Sequence, residues 1–186
     1  AGRLPLSVKT RVGFGEVDMQ WFDFLLGFDL DMLTVHGRTK RQMSKVPADW
    51  GLVGEVVKKR DALGKTTKIV GNGDVLDRAH GLELAEQFNL DGIMIGRGVF
   101  ANPFCFLQDG PIVWQAIDRS ARIDLYEKHV RLFAETWQQG ERPIQTLNKF
   151  CKVYIQSFDG AKELREHLMN AHSAEELLEI LEAAKR

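Results

Sequence analysis

Lys68-Ile69-Val70-Gly71-Asn72-Gly73-Asp74 is the stretch on which the fold turns. A short apolar run, 68–71, passes directly into a cluster of Gly, Asn and Asp, and residues 78–88 then carry apolar side chains at helical spacing. This predicts a strand, a polar turn and a helix. The next segment, 92–96 (GIMIG), predicts a strand that ends the same way, on Gly96-Arg97-Gly98. Toward the N-terminus, 32–36 (MLTVH) predicts a strand ending on Gly37-Arg38-Thr39, and 52–63 a helix after it. Residues 6–12 (LSVKTRV) predict the first strand and 18–28 a helix rich in Trp and Phe. Strands that alternate with helices imply parallel pairing and right-handed crossovers. Polar clusters at the C-terminal strand ends suit either a barrel or an open doubly wound sheet. No strand-turn-helix segment carries a GxGxxG pattern, which argues against a dinucleotide-binding Rossmann unit.

After Asn102-Pro103 the pattern changes, and from residue 120 onward only helical periodicity is present. Helices are expected over 121–138, 144–158, 161–170 and 174–184. Gly140 and Pro143 punctuate the first break and Asp159-Gly160 the second. Ser173 with Glu176 three residues on predicts a capping box. The expected organisation is an α/β unit over 1–112 and an all-α unit over 113–186.

Hydrophobic residues make up 44% and charged residues 27%, as in ordinary globular proteins. No apolar run approaches the ~18 residues that cross a bilayer, and no signal-peptide pattern opens the chain. The chain begins with Ala1 rather than Met, which fits a fragment or a processed product. Cys105 and Cys151 sit in apolar stretches without metal or disulfide spacing, so both read as small core residues in a reducing cytoplasm. The net charge of −1 leaves no global positive field, so a nucleic acid would need local basic patches.

Glycine beside Asn72, Asp74 and Arg97 at two successive strand ends suits a phosphate. Glycine lets backbone N–H groups approach closely, and an Arg fork matches an oxyanion. In barrels the last two βα loops, with a short extra helix, commonly bind phosphate. Residues 99–106 are a candidate for that helix, with Pro103 limiting its length. Two tight turns without a ligand are the plainer alternative. Lys9 shares a strand face with Ser7 and Arg11. Such a cation either faces inward, where it would stabilise the negative charge of a reduced flavin, or snorkels at a sheet edge. His36 shares a face with Thr34 and is followed by Arg38, a donor cluster suited to a flavin or an anionic substrate; the alternative is a structural histidine. No second His or Cys stands at metal spacing, so a metal is not expected. Lys40, Arg41 and Lys45 make the loop before Asp49-Trp50 basic, either as a solvated loop or as a contact for a polyanion. In the tail, Lys149, Lys152 and Arg165 stand beside Tyr154 and Phe158, a mix that serves RNA binding or an ordinary amphipathic helix.

Taken together, Val8-Lys9-Thr10-Arg11, Thr34-Val35-His36-Gly37-Arg38-Thr39, Ala48-Asp49-Trp50, Gly71-Asn72-Gly73-Asp74 and Met94-Ile95-Gly96-Arg97-Gly98 with Asn102-Pro103 resemble the tRNA-dihydrouridine synthases over residues 5–106. Asn148-Lys149-Phe150, Gly160-Ala161 and Leu164-Arg165 are similar to that family's C-terminal helical domain, with weaker specificity. The resemblance implies the C-terminal half of a TIM (β/α)8 barrel with four parallel strands, followed by a helical-bundle domain that binds tRNA. It implies FMN as cofactor, NADPH as reductant, and reduction of uridine to dihydrouridine in tRNA. Lys9 and His36 match flavin-contacting positions, and Asn72, Gly73, Asp74, Gly96 and Arg97 match the FMN phosphate and ribityl region. Arg38 falls where the substrate uridine is contacted, and Lys149 and Lys152 fall in the RNA-binding tail.

Two departures stand out. The loop 40–46 lacks the aromatic and Gly that usually precede Ala-Asp-Trp. The family's general-acid cysteine, in an Asn-x-Gly-Cys-Pro-like segment, has no counterpart here, and neither Cys105 nor Cys151 can replace it. In the full enzyme, hydride passes from flavin to uracil C6 while that cysteine protonates C5. The expectation is therefore a chain inactive alone, self-associating or pairing with a missing N-terminal half-barrel through its open sheet edges. Rival readings are a different FMN barrel oxidoreductase acting on a small molecule, which has no need of the helical tail, and a non-catalytic RNA-binding remnant.

Overall fold

A computed structural model describes residues 4–108, 113–138 and 140–185. It divides into two compact units, 1–112 and 113–186.

The first unit runs β1 (Ser7–Arg11), α1 (Gln20–Leu26), β2 (Met32–His36), α2 (Trp50–Ala62), β3 (Lys68–Asn72), α3 (Arg78–Gln87), β4 (Gly92–Met94) and α4 (Gly98–Ala101). The strands form one parallel four-stranded sheet in sequential order. That order, with helices between strands, is consistent with part of a TIM barrel. The register aligns Arg11 with His36, His36 with Asn72, and Asn72 with Met94. Because strand side chains alternate, these four share one face, and Leu33, Val35 and Ile69 point to the other. There they join Phe22, Leu25 and Leu26 of α1 and Val53, Val56 and Val57 of α2 in a single buried core. Burying each such side chain stabilises by about 1.5–3 kcal/mol.

Helix starts follow local chemistry. Asp49 caps α2 by accepting from the Leu52 N–H at 3.2 Å, and Asp77 caps α3 by accepting from the His80 N–H at 2.9 Å. The helix after β4 is shorter than the expected 99–106. It stops at Ala101 because Asn102, which precedes Pro103, is extended at φ −145° and ψ 105°. Strand β4 also ends early, at Met94, where the β3 ladder runs out.

The described residues of the second unit after Val113 hold a 3₁₀ turn (Trp114–Ala116) and then only helices: α5 (Arg119–Thr136), α6 (Gln145–Asn148), α7 (Cys151–Tyr154), α8 (Ala161–Asn170) and α9 (Ala174–Ala184). Their apolar stripes meet in a second core of Ile123, Tyr126 and Val130 from α5, Leu164 and Leu168 from α8, and Leu177 and Leu181 from α9. The helix expected over 144–158 is two four-residue helices. Leu147, Phe150 and Val153 each donate three residues back, to Ile144, Leu147 and Phe150, and these tighter turns interrupt the α pattern. Ser173 Oγ accepts from the Glu176 N–H at 3.1 Å, and Glu176 reaches back to the His172 N–H at 2.8 Å, so the box closes one residue earlier than its usual form. No helix among the described residues is long and apolar enough to cross a membrane.

Candidate functional site

The C-terminal ends of β2, β3 and β4 enclose a cavity of about 410 Å³ lined by His36, Asn72, Gly73, Asp74, Gly96 and Arg97, with Val75, Leu76, Gly98 and Ala101 completing the wall. Two glycine-rich turns separated by more than twenty residues of chain thus meet in one site. Asn72 ties them together: its Nδ2 donates to the Met94 carbonyl at 2.8 Å, extending the junction of β3 and β4 beyond the ladder.

The glycines divide by role. Gly73 has φ +127°, and a Cβ there would lie 2.6 Å from Ala48 Cβ. Gly98 is pressed against the Val75 and Leu76 carbonyls, 2.7 and 2.6 Å from where its Cβ would be. Both are required by the fold. Gly96 has nothing within 4 Å of its Cβ position and leaves the cavity open. Gly71 takes no part in the site, because the Trp50 ring packs over it from the helix side, 2.4 Å from a built Cβ. Helix α4 is only four residues long, so a helix macrodipole has little to offer an anion here.

Asp74 organises the charges. It sits in the left-handed region at φ 53° and accepts from Arg38 Nη2, from the Ala48 N–H at 2.9 Å and from Arg97 Nη2 at 3.4 Å. Burial raises its carboxyl, but the Arg38 bond, the Ala48 N–H and the charges of Arg38 and Arg97 outweigh burial and hold it below the usual carboxylate range. Arg38 is only 3% exposed. Its Nε donates to the Val46 carbonyl, and its Nη1 is buried without a partner among the described residues. His36 is pulled down to about 4, first by burial and then by the charges of Arg11, Lys9 and Arg38, against a smaller pull from Asp74. At neutral pH it is an uncharged imidazole, and its buried Nδ1 has no partner among the described residues.

Of the sequence-derived candidates, His36, Asn72, Gly73, Asp74, Gly96 and Arg97 come together. Lys9 does not line the cavity; it is exposed on β1, paired in register with Thr34, and reaches the site only through its charge on His36. Arg38, a candidate substrate contact, is withdrawn from solvent into its clamp on Asp74 and Val46. Lys149 and Lys152 belong to the second unit, where both are exposed. Their neighbours are committed elsewhere: Tyr154 stacks on Tyr126 at 5.2 Å and bonds His129 at 3.1 Å, and Arg165 donates to the Ile155 carbonyl at 2.8 Å.

Arg11 and Ala48 were missed as members of this network. Arg11 follows Lys9 at the two-residue strand period, which was the available signal. The N–H of Ala48 reaches Asp74 across 26 residues and leaves no mark in the sequence. The Ala48-Asp49-Trp50 motif is a structural brace: Asp49 N–H donates to the Gly37 carbonyl at 2.7 Å, and Trp50 stacks on Phe88 at 6.2 Å. Both cysteines are buried, and burial pushes both thiols up. No cluster of His, Cys, Asp or Glu that could hold a metal exists among the described residues.

The chain matches the family described as dihydrouridine synthase (Dus) over residues 1–186. A protein of Bacillus subtilis (strain 168) named "Probable tRNA-dihydrouridine synthase 2" is 42% identical over 190 residues, covering 100% of this chain and 57% of its own length. A Staphylococcus aureus (strain Mu50 / ATCC 700699) protein named "Probable tRNA-dihydrouridine synthase" is 39% identical over 184 residues, covering 98% of this chain and 55% of its own. The chain therefore spans about half the length of these relatives. With the match running along all its residues, the chain belongs to the dihydrouridine synthase family.

Proposed function

We propose that this chain carries the flavin-phosphate cradle and an RNA-holding unit of an enzyme that reduces uridine to 5,6-dihydrouridine in tRNA, using FMN and NADPH. The observation that supports this most is the single cavity joining the β3 and β4 ends, where Asn72 and Gly73 face the same space as Gly96 and Arg97. The residues suit FMN. Arg97 is a cation with a 65% exposed side chain at an open glycine, as a phosphate needs. His36 offers a buried ring nitrogen, without a partner among the described residues, that can donate or accept. When bound, FMN supplies the hydride that adds to uracil C6 after reduction by NADPH.

The chain's own residues bind and orient. Arg97 neutralises the phosphate, and Asp74 fixes where Arg97 stands. Arg38 acts through Asp74 and is a positioning residue in this reading. Lys9 adds positive charge on the sheet face that carries His36. Lys149 and Lys152 contribute phosphate contacts from the helical unit. Protonation at C5 needs an acid, and neither buried cysteine can provide one. The 186 residues alone are therefore expected to hold cofactor and RNA without turnover. Among the described residues β1 and β4 are each paired on one side only, which leaves edges for self-association or for another half-barrel. A well-behaved monomer in sedimentation would count against that last point.

The test is spectroscopic. Purified chain titrated with FMN should show saturable perturbation of the flavin bands, weakened by Arg97→Gln, while dihydrouridine formation with tRNA and NADPH stays at background. Absence of flavin binding would overturn the cradle, and robust turnover would overturn the division of labour.

A further inference from the structure

Beside the cofactor cavity lies a second cleft, of about 350 Å³, lined by Arg11, Gly13, Phe14, Asp18, Trp21 and Lys40, with Thr10 behind Trp21. It sits between the loop after β1 and the loop after β2. The two loops are laced together: the Lys40 N–H donates to the Gly13 carbonyl and the Arg41 N–H to the Phe14 carbonyl, both at 2.9 Å. Arg11 Nη1 adds a bond to the Thr39 carbonyl at 3.1 Å. Gly13 makes the bend possible at φ +151°, where a Cβ would fall 1.9 Å from the Glu16 carbonyl oxygen. A held loop of this kind then presents Phe14 72% exposed, with Lys40 Nζ 4.8 Å from the ring centroid. Trp21 forms another wall, its indole N–H already satisfied by Thr10 Oγ1 at 3.0 Å.

The Phe14 ring, held on a braced loop, offers an aromatic surface to a partner, and the surrounding charge says which. Arg11 and Lys40 line the cleft, and Arg41 is tied beside it through the Phe14 carbonyl, in a chain whose net charge is −1. Neither Lys40 nor Arg41 forms an ion pair among the described residues. The nearby acids are Glu16 and Asp18, and Asp18 is occupied capping α1 through the Gln20 and Trp21 N–H groups. An exposed aromatic face beside Arg11 and Lys40, with its one lining acid turned to the α1 backbone, matches a nucleobase with its phosphates.

We propose that this cleft is a stacking subsite for a single-stranded ribonucleotide next to the one that enters the cofactor cavity, with Phe14 as platform and Lys40 as phosphate contact. This rests on the reading of the substrate as RNA. It names a contact on the first unit, separate from the lysines of the helical unit.

The test uses the 186-residue chain and a labelled short single-stranded oligouridylate, with affinity measured across a salt series. Phe14→Ala should weaken binding about tenfold at every salt concentration without changing the salt slope, since a base stack carries no counterion. Phe14→Trp should retain affinity. Lys40→Gln should flatten the slope by about 0.7, one single-strand phosphate contact. Phe28→Ala, which removes another exposed ring elsewhere on the unit, 52% exposed against 72% for Phe14, should change nothing. The subsite is overturned if Phe14→Ala binds like the parent chain, if Phe28→Ala loses as much, or if duplex RNA, whose bases cannot stack on Phe14, binds equally well. Flavin binding separates the two levels. A chain that takes FMN and RNA but ignores Phe14→Ala refutes only the subsite, whereas one that binds no RNA refutes the RNA reading with it.

Discussion

Asp74 and Asp91 build nearly the same device at opposite ends of one sheet. Asp74, beyond the C-terminal end of β3, takes Arg38, Arg97 and the Ala48 N–H. Asp91, just before β4, takes Arg60, Lys68 at 2.9 Å and the Ile69 N–H at 2.9 Å. In both, burial raises the carboxyl and the partners more than reverse it. The difference lies in the surroundings. At Asp91 the bonds are short and serve to join the strand starts. At Asp74 the backbone is left-handed, Arg97 stands at 3.4 Å, an Arg38 nitrogen lacks a partner among the described residues, and a cavity opens alongside. The same charges stabilise where packing is complete and stay available where it is not. That is the expected division between the two ends of a parallel βα array.

The comparison breaks most sharply in Asp74→Ala. Arg38, 3% exposed, would be left as a buried unpaired cation, at a cost of about 3–5 kcal/mol in denaturant unfolding, with flavin binding lost. Gly98→Ala should cost about 1–3 kcal/mol, because its Cβ meets two backbone carbonyls that cannot yield. Gly96→Ala should leave the melting temperature unchanged and weaken only flavin binding, since nothing lies within 4 Å.

His36 supplies a pH test. With a folded pKa of about 4, the native state binds fewer protons than the unfolded chain between the ordinary value of 6.5 and 4. Stability therefore falls as pH drops through that window, by about 2 kcal/mol after allowing for solvent screening, and levels off below it. His36→Gln should flatten this part of the unfolding profile. Asp91→Ala should cost about 1–2 kcal/mol, less than Asp74→Ala, because Lys68 is 67% exposed and regains water while Arg60 keeps the Asp61 carboxylate. Arg97→Gln, at a 65% exposed side chain, should change stability by no more than about 0.5 kcal/mol and cut flavin affinity about tenfold. Equal stability losses at Asp74 and Asp91 would dissolve the distinction.

Much of the first unit was legible in the sequence. The starts of β2, β3, α3 and β4 follow from short apolar runs and from glycine and Asx punctuation, which act locally. The ends were less so. Asn102 stops α4 through its proline neighbour, which was readable, but β4 stops at Met94 because its partner strand does. The segment 144–158 has unbroken helical periodicity, yet its hydrogen bonds tighten to three-residue steps, a choice that no apolar pattern records. In the site, glycine and Asn at the strand ends were visible as types. The burial of Arg38 was not, because a cation after a strand looks alike whether it faces a substrate or an aspartate.

What the sequence determined by itself was a parallel βα order with glycine-rich turns at two strand ends. Side-chain periodicity and the backbone freedom of glycine are properties of neighbouring residues. What only the tertiary structure decided was the pairing of charges. Arg38 and Asp74 are 36 residues apart, so whether that arginine meets a ligand or a carboxylate depended on where the third strand laid its turn.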